Sequence, residues 1–451
     1  MGTAPSAAHA ASTAPSGLSR RDWLVCAVVG LGFVFDGFEI LVMPVTVRPA
    51  LLSLGVPRDA FPTWVGVLLY VPAVTAGLFG LMGGYVLDRF GRRRVLVRSL
   101  LLYCAATVGA ATASSPLALL LWRCATLSGV ALEFVASLTY LAELFPEPPL
   151  RERVLGFSQA LYAVGNFVVT GAYYTAVTIA AQLPPIAGHH DAWRYTLAVG
   201  MLPSIPLMMM RSRLPESPMW LASRTEVRRR LHLAALFGAS LRRSTLTAVA
   251  MTACVYAATY GVMQQVPRLV PGLPDVRVLA PRAQEQMVGV VHLFSSLGDL
   301  TGRCLFAFVV AAAIEQRRLL RAFLVPALVI IPLGFLYAST MGVTALKTAT
   351  FVSALLLTAQ FSFLGNYLPR LFPTSLRGSG ESLAINFGGR VLGTSAAFVT
   401  PQVATLLTAG PDPTVQLARA MAIVGAVVLV AGLTATHWMS EPSSHLPVDE
   451  E

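Results

Sequence analysis

Residues 84–93 read GYVLDRFGRR, and they end an apolar stretch that begins near residue 63. The continuous apolar run stops at Asp88, and arginine dominates the residues that follow. An α-helix needs about 20 mainly apolar residues to cross a bilayer. The stretch before the motif therefore predicts a membrane helix, and the charged residues predict its exit into water.

Composition extends this prediction to the whole chain. Of its 451 residues, 55% are hydrophobic and only 12% are charged, and the mean hydropathy is +0.67. A soluble domain carries about 25% charged residues. These values exclude a soluble enzyme and a disordered chain, and they indicate a protein with many membrane spans.

Twelve apolar stretches are long enough to cross a bilayer. They lie near residues 23–48, 63–87, 95–114, 116–141, 154–180, 193–210, 244–266, 286–311, 319–339, 343–368, 378–404 and 416–438. The sequence predicts an all-α membrane protein of twelve transmembrane helices in two six-helix halves, an arrangement that suits alternating access. The expected segments are a disordered tail (1–19), a first helix bundle (20–210), a basic cytoplasmic linker (211–243), a second bundle (244–438) and a cytoplasmic tail (439–451).

The formal charge of +11 reflects how arginine is distributed among the loops. Most of the 33 basic residues fall in alternate loops of the twelve-span scheme, Arg211 among them. Cytoplasmic loops carry the excess of Lys and Arg, so both termini are predicted to be cytoplasmic. The positive charge therefore indicates orientation in the membrane, and we expect no nucleic-acid partner.

The sequence has no pattern typical of an enzyme or a metal site. Its five cysteines lie in apolar stretches without a CxxC or CxxxH neighbour. No GxSxG, HExxH, Walker or Rossmann motif is present. We expect no enzymatic activity, no metal and no cofactor, with energy supplied by an ion gradient or by the gradient of the substrate.

The motif at residues 84–93 resembles the GxxxDRxGRR signature of the major facilitator superfamily. Residues 214–221, LPESPMWL, resemble the PESPRWL motif of sugar porters, and residues 193–194, WR, open the sixth span as in that group. This resemblance implies a secondary transporter with a cytoplasmic conformational latch. The latch residues that it implies are Gly84, Asp88, Arg89, Gly91, Arg92, Arg93, Glu143 and Glu216.

Other motifs resemble the metabolite, sialate and aromatic-acid proton symporters. The DGFE run at residues 36–39 is similar to a first-span signature of those groups, and Arg123, Gly129 and Glu133 are similar to a fourth-span pattern. The second half departs from the family pattern, because the DRxG residues are lost before Arg317 and Arg318. We therefore expect a latch that is strong in the first half and degenerate in the second.

Charged residues deep in a bilayer cost free energy unless they are paired or face a cavity. Asp36 and Glu39 lie near the middle of the first span, three residues apart and on one helix face. Two such carboxylates resist double ionisation, a property that suits proton coupling. Arg123 lies at the depth of Glu39 and can couple to it or form a static pair. Glu133 can line the cavity or tie the fourth span to a neighbour.

Two charged positions in the second half have different predicted roles. Asp299 and Arg303 stand four residues apart and can neutralise each other within one helix. Arg390 has no acid on its own helix turns, and a guanidinium binds a carboxylate bidentately. Arg390 is therefore the predicted contact for a substrate carboxylate, with Asp299 as its alternative partner.

Polar and aromatic side chains complete the candidate substrate site. Most such groups in membrane bundles only bridge helices. The further candidates are Gln159, Tyr162, Asn166, Tyr256, Tyr260, Gln264, Gln360 and Asn386.

The favoured function is proton-coupled uptake of a small organic anion, a carboxylate or an aromatic acid, by a transporter that works as a monomer. The expected location is a bacterial cytoplasmic (inner) membrane, with lipid, protons and substrate as partners. A sugar or polyol proton symporter is the alternative, supported by the sugar-porter motifs. A proton/drug antiporter and a non-transporting membrane sensor also remain open.

Overall fold

The computed structural model describes residues 20–145, 148–202, 204–217, 220–221, 233–310, 315–373, 376–407 and 412–440. These residues form helices joined by short connections. The sheet-like feature among them is an isolated bridge in which Ile186 and His189 exchange backbone hydrogen bonds. The predicted tails at 1–19 and 441–451 and the linker residues 222–232 lie outside this description.

The first group of helices runs from residue 20 to residue 221. It contains α1 (Arg20–Ser53), α2 (Phe61–Phe90), α3 (Arg92–Ala111), α4 (Pro116–Leu144), α5 (Pro148–Ile179), a 3-10 turn (Ala180–Gln182), α6 (Ala192–Val199) and α7 (Ser204–Arg211).

The second group runs from residue 233 to residue 440. Its α-helices are α8 (Arg242–Gly261), α9 (Val266–Leu269), α10 (Pro281–Val310), α11 (Gln316–Met341), α12 (Val343–Tyr367), α13 (Arg377–Ser382), α14 (Ala396–Leu406) and α15 (Pro413–Ala435). A π-helical segment (Leu383–Leu392) follows α13 directly. The 3-10 turns are Leu233–Phe237, Met263–Gln265, Val270–Gly272, Leu368–Arg370, Gly393–Ser395 and Thr436–Trp438.

Nine helical segments within the described residues are long and apolar enough to cross a membrane. The three remaining predicted spans are also helical, but each is interrupted or charged. The sixth is divided into α6 and α7, and the eleventh changes from α13 to the π-helical segment, a 3-10 turn and α14. The eighth, α10, carries Arg282, Glu285, Asp299 and Arg303.

Helices within each group pack on near neighbours. In the first group, α1 packs on α5, and both α2 and α3 pack on α4. In the second, α12 packs on α10 and α11, and α8 packs on the π-helical segment. The groups meet where α5 lies against α10 and where α2 lies against the π-helical segment and α14.

Large apolar side chains cover much of the outer surface. Leu121, Leu333 and Val427 are 62%, 60% and 64% exposed, whereas Asp36, Glu39 and Arg123 are buried. Water disfavours extended apolar surface, but lipid does not. Exposed apolar side chains and buried charged ones are the distribution expected of an integral membrane protein.

Gly91 alone separates α2 from α3. Its φ of +89° lies in the region that side chains rarely adopt, and its amide donates to the Leu87 carbonyl oxygen. A Cβ atom at this position would also lie 2.6 Å from Glu216 Oε2. The glycine therefore permits both the sharp turn and the close approach of Glu216.

Candidate functional site

Glu39 and Arg123 form a buried ion pair between α1 and α4. Arg123 Nη1 lies 2.7 Å from Glu39 Oε2, and the two side chains are 1% exposed or less. Arg123 Nη2 also donates to the Glu39 backbone carbonyl. The Thr107 hydroxyl of α3 donates to Glu39 Oε1 at 2.9 Å. The predicted pair is present, and it joins three helices.

Asp36, Glu133 and Arg211 form a second buried cluster of charged residues. Arg211 Nη2 lies 2.6 Å from Glu133 Oε1. All three side chains are fully buried. Asp36 lies within electrostatic range of the other two, but neither of its carboxylate oxygens has a hydrogen-bond partner among the described residues. Glu133 therefore ties α4 to the end of α7, one of the two roles predicted for it.

The burial of Arg211 corrects the sequence-based topology. The sequence places Arg211 in the cytoplasmic linker, but it is the last residue of α7 and is buried. The predicted end of the sixth span, residue 210, falls one residue short. The opposite charge of Glu133 stabilises the guanidinium inside the protein, where water would otherwise be needed. The signal in the sequence was the apolar run that leads directly into Arg211.

The two acids of α1 belong to different networks. Glu39 is occupied by Arg123 and Thr107. Asp36 lies within electrostatic range of Glu133 and Arg211 as well as of Glu39. The expected coupling of Asp36 to Glu39 stays a prediction, and Glu133 is a second carboxylate that acts on Asp36.

Arg390 lies on the π-helical segment at the meeting of the two groups. Its Nη1 donates to Asn386 Oδ1 at 3.2 Å, and its guanidinium lies beside the Tyr256 hydroxyl. Tyr256 stacks on Tyr260 with ring centroids 6.0 Å apart, and Tyr162 of α5 lies near both rings. We call these five residues the central cluster. No described carboxylate forms an ion pair with Arg390.

Asp299 is not the partner of Arg390. Asp299 Oδ2 lies 3.5 Å from Arg303 Nε, and its Oδ1 accepts a hydrogen bond from Thr358 at 2.6 Å. The predicted pairing within α10 is therefore present. The alternative, a pair between Asp299 and Arg390, is not present among the described contacts.

The other predicted substrate residues do not all lie together. Asn166 and Gln264 are buried, and each has a side-chain oxygen without a hydrogen-bond partner among the described residues. Gln264 lies beside the Tyr260 hydroxyl. Gln360 lies elsewhere, in a small pocket with Met251, Cys254, Leu320, Leu324 and other apolar residues of the second group. It does not lie in the central cluster, and its place in the substrate site stays a prediction. The Gln159 side chain lies outside the described part of the chain.

Three contacts form a clasp at the predicted cytoplasmic side of the first group. Arg92 Nη2 lies 2.8 Å from Glu143 Oε1. Glu216 Oε1 accepts a hydrogen bond from the Arg93 backbone amide at 2.9 Å. The Tyr140 hydroxyl donates to the Pro215 carbonyl at 2.9 Å. This inner clasp joins the start of α3 and the end of α4 to the segment after α7.

The other predicted latch residues differ from one another in their contacts. Arg89 donates to the Tyr85 hydroxyl at 3.0 Å and lies over the Phe90 ring. Arg93 uses its backbone amide toward Glu216. A Cβ atom at Gly84 would meet no described atom within 4 Å. The Asp88 side chain lies outside the described residues.

The second group has its own contacts at the corresponding helix ends. Glu315 Oε2 lies 2.8 Å from Arg318 Nε, but these side chains are 58% and 77% exposed and only three residues apart. Such a surface pair contributes little to stability. Arg317 Nη2 donates to the Met439 carbonyl at 2.7 Å, and the Tyr367 hydroxyl donates to the Ser440 carbonyl at 2.9 Å. The expected difference in strength between the two halves stays a prediction.

The WR motif has a structural role at the opposite side of the first group. Trp193 Nε1 donates to Ser53 Oγ at 2.9 Å, which joins α6 to α1. Arg194 Nη1 donates to the carbonyls of Ala111 and Ala113 at 2.9 Å. We call these contacts the outer clasp. They hold helix ends together and bind no part of the central cluster.

Glu285 joins the two groups at the predicted outer side. Its Oε1 pairs with Arg48 at the end of α1, and its Oε2 accepts a hydrogen bond from the Tyr173 hydroxyl of α5. Deeper along the same contact, Thr170 Oγ1 lies 2.7 Å from His292 Nδ1. We call this α5–α10 contact the outer seam. The sequence alone did not reveal it, because its partners are more than a hundred residues apart.

The family model of the Major Facilitator Superfamily matches residues 28–397 of this chain. The chain belongs to that family. It is a membrane transporter of many spans, and it is not an enzyme.

Individual relatives agree with this assignment. The sialic acid transporter NanX of Escherichia coli is 24% identical over 386 residues, which cover 84% of this chain and 85% of that protein. The cis,cis-muconate transport protein of Acinetobacter baylyi is 24% identical over 94% of this chain and 96% of its own. A crystal structure of the D-xylose-proton symporter superposes with a TM-score of 0.71 at 18% identity, covering 93% of this chain and 98% of that one.

Facilitator-type folds place substrate and coupling-ion sites between their repeats near the bilayer centre. Buried charged residues between helices include Asp36, Glu39, Arg123, Glu133 and Arg211, and Arg390 is half-buried where the two groups meet. Glu39 and Arg123 compensate each other. Asp36, Glu133, Arg211 and the central cluster therefore form the candidate transport site.

Proposed function

We propose that this superfamily member takes up a small organic anion together with a proton. The observation that carries the proposal is Arg390, a half-buried guanidinium where the two groups meet, without a carboxylate partner among the described residues. A cation held in such a place is compensated most directly by an anionic substrate, which it can bind through two hydrogen bonds.

Asp36 supplies the link to a proton. It lies within electrostatic range of Arg390 as well as of Glu133 and Arg211. When Asp36 is ionised, its negative charge competes with a substrate anion for the positive charge of Arg390. When Asp36 is protonated, that competition ends and anion binding is favoured. Proton and anion therefore bind cooperatively, as symport requires.

Further parts of this proposal concern the membrane. We propose twelve spans, cytoplasmic termini, a bacterial inner membrane and a monomeric transporter. The apolar outer surface and the distribution of arginine among loops support the first two. In this topology the outer seam is closed, and alternating access requires it to open.

The test is transport by the purified protein in liposomes. The probes are N-acetylneuraminate, cis,cis-muconate and benzoate as anions, with D-xylose and L-arabinose as neutral sugars. We expect at least one anion to accumulate when the inside is alkaline and to exchange without a pH gradient. Arg390→Ala is expected to abolish uptake, whereas Arg318→Ala, an exposed charge-matched control, is expected to retain it. Accumulation of sugars alone would refute the anion proposal.

Sugar symport is the second candidate, and specific groups favour it. The Asn166 and Gln264 side-chain oxygens are buried without hydrogen-bond partners among the described residues. Amide oxygens of this kind accept hydrogen bonds from hydroxyl groups. The stacked rings of Tyr256 and Tyr260 can pack against a sugar ring. In this case Arg390→Ala leaves uptake of the neutral probes largely intact.

A further inference from the structure

Arg211 is a buried charged residue that no sequence motif assigns to proton or substrate binding. It is in ion-pair contact with Glu133 on α4, and Asp36 on α1 lies within electrostatic range of it. A single guanidinium cannot neutralise two carboxylates, so Arg211 alone leaves one buried negative charge uncompensated when both are ionised. Burial makes such a charge costly.

The geometry brings Arg211 close to α1 itself. A side chain at Gly32 would overlap the Arg211 guanidinium and Glu133 Oε1. Gly32 precedes Asp36 by four residues, so the two positions share one face of α1. The guanidinium therefore packs about one helical turn from Asp36, which sets the displacement that an exchange requires at roughly 5 Å along α1.

The hydrogen bonds distinguish this cluster from the other buried pair. Glu39 accepts hydrogen bonds from Arg123 and Thr107, which fix it in place. The Asp36, Glu133 and Arg211 side chains lack regular hydrogen bonds among the described residues, although Arg211 and Glu133 are in ion-pair contact. Moving the guanidinium from Glu133 to an ionised Asp36 exchanges one buried ion pair for another, so the loss at one carboxylate is offset at the other.

The position of Arg211 in the chain connects it to the inner clasp. It ends α7, and Pro215 and Glu216 follow within five residues. Pro215 accepts from Tyr140, and Glu216 accepts from the Arg93 amide. A movement of Arg211 is therefore transmitted over a short segment to the start of α3.

We propose that Arg211 is a positioning residue that exchanges between Glu133 and Asp36 and so couples proton binding at Asp36 to the inner clasp. With Asp36 protonated, the guanidinium remains on Glu133, as observed. When Asp36 releases its proton, the guanidinium shifts toward it and pulls on the segment that carries Pro215 and Glu216. This inference rests on the proposed function for the identity of the proton site, but it does not depend on the substrate.

Other charged and titratable groups also face Asp36 or Arg211. They are Tyr103 on α3, whose hydroxyl is buried near the cluster, Arg390 on the π-helical segment and Glu39 on α1 itself. Glu39 is compensated by Arg123. Arg390 adds positive charge that acts in the same direction as Arg211. The exchange is therefore expected to respond to anion binding at Arg390 as well as to pH.

The first experiment is pH-difference infrared spectroscopy of the full chain in lipid nanodiscs without substrate. It detects the carbonyl band of a protonated buried carboxyl group. We expect a band that Asp36→Asn removes. At neutral pH, Arg211→Gln is expected to strengthen it and Glu133→Gln to weaken it, with the protonation equilibrium changed about tenfold or more in each case. Arg211→Lys and Glu285→Gln, the control at the outer seam, are expected to stay near wild type.

These changes of opposite sign separate coupling from a merely structural role. The proposal is overturned if the band survives Asp36→Asn, or if Arg211→Gln and Glu133→Gln change it in the same direction. If Arg211→Gln does not fold, Glu133→Gln alone tests the proposal. It frees Arg211 to pair with ionised Asp36, so the carbonyl band must weaken. Absence of transport for every anion would remove the proposed function and leave this result standing.

The second experiment measures hydrogen exchange at the clasp amides of Arg93 and Ser217, which both donate to Glu216. After correction for intrinsic rates, we expect wild-type protection to depend on pH. Asp36→Asn is expected to hold it at the low-pH value, and Arg211→Lys is expected to preserve its pH dependence. Equal pH dependence in wild type and Asp36→Asn would overturn the link to the clasp.

Discussion

Opening of the outer seam can be perturbed at one residue, Glu285. Glu285→Gln removes the ion pair with Arg48 and weakens the hydrogen bond from Tyr173. The Arg48 and Glu285 side chains are 28% and 20% exposed, so solvent screens their interaction only in part. Exposed pairs contribute up to about 1 kcal/mol and charged hydrogen bonds about 1.5–3 kcal/mol. A loss of about 1.4 kcal/mol shifts the closed-to-open equilibrium about tenfold.

The assay is labelling of a cysteine placed at Gly289. A Cβ atom there would lie 3.5 Å from the Tyr174 side chain, an ordinary contact, so Gly289→Cys fits in the closed seam. With the five native cysteines replaced by alanine, a membrane-impermeant maleimide reports opening from outside. We expect Glu285→Gln to raise the labelling rate about tenfold and Tyr173→Phe to raise it less.

Asp275 provides a matched control for this assay. It is another predicted outer-side carboxylate, but it accepts hydrogen bonds from the Val343 amide within its own group. Asp275→Asn should leave the labelling rate unchanged. If Glu285→Gln and Asp275→Asn label equally, the seam is not held by Glu285 and the reasoning is refuted.

Three further predictions concern the Glu39–Arg123 pair and the two clasps. Arg123→Ala leaves Glu39 buried without its cation and should destabilise the protein by about 3–5 kcal/mol, which thermal unfolding in detergent measures; a fall in midpoint no larger than that of the double variant Arg123→Ala/Glu39→Gln, which leaves neither charge unpaired, would contradict this. Glu143→Gln should reduce uptake well below wild type while Glu315→Gln changes it little, since only the first breaks a part-buried pair; equal uptake rates would refute the asymmetry. Trp193→Phe loses the hydrogen bond to Ser53, part of a fully buried side chain and contact with the Arg194 guanidinium. It should cost about 1–3 kcal/mol in unfolding without altering substrate affinity, and an altered affinity would contradict a purely structural role.

Helix content and family were accessible from the sequence because both depend on local patterns. A long apolar run and a ten-residue motif need no knowledge of distant neighbours. The Glu39–Arg123 pair was also accessible, because two opposite charges at one predicted depth have few other ways to be neutralised. In these cases hydropathy alone sets the depth of each residue.

The remaining features depend on packing that hydropathy does not encode. A boundary error of one residue placed Arg211 in water, although Glu133 buries it. The direction of Gln360 depends on rotation within α12, and the sequence pattern does not determine that rotation. The outer seam required knowledge that α5 lies against α10. The π-helical segment around Arg390 follows from no periodicity that the sequence displays.

The clasps of the first group have a consequence for the assembly of the protein. Every contact of the inner and outer clasps that we describe lies between Ser53 and Ser217. A ribosome therefore delivers all of their partners before it begins the second group. The first group of helices can lock as a unit during synthesis, and the second group then docks against a finished surface through α2 and α5.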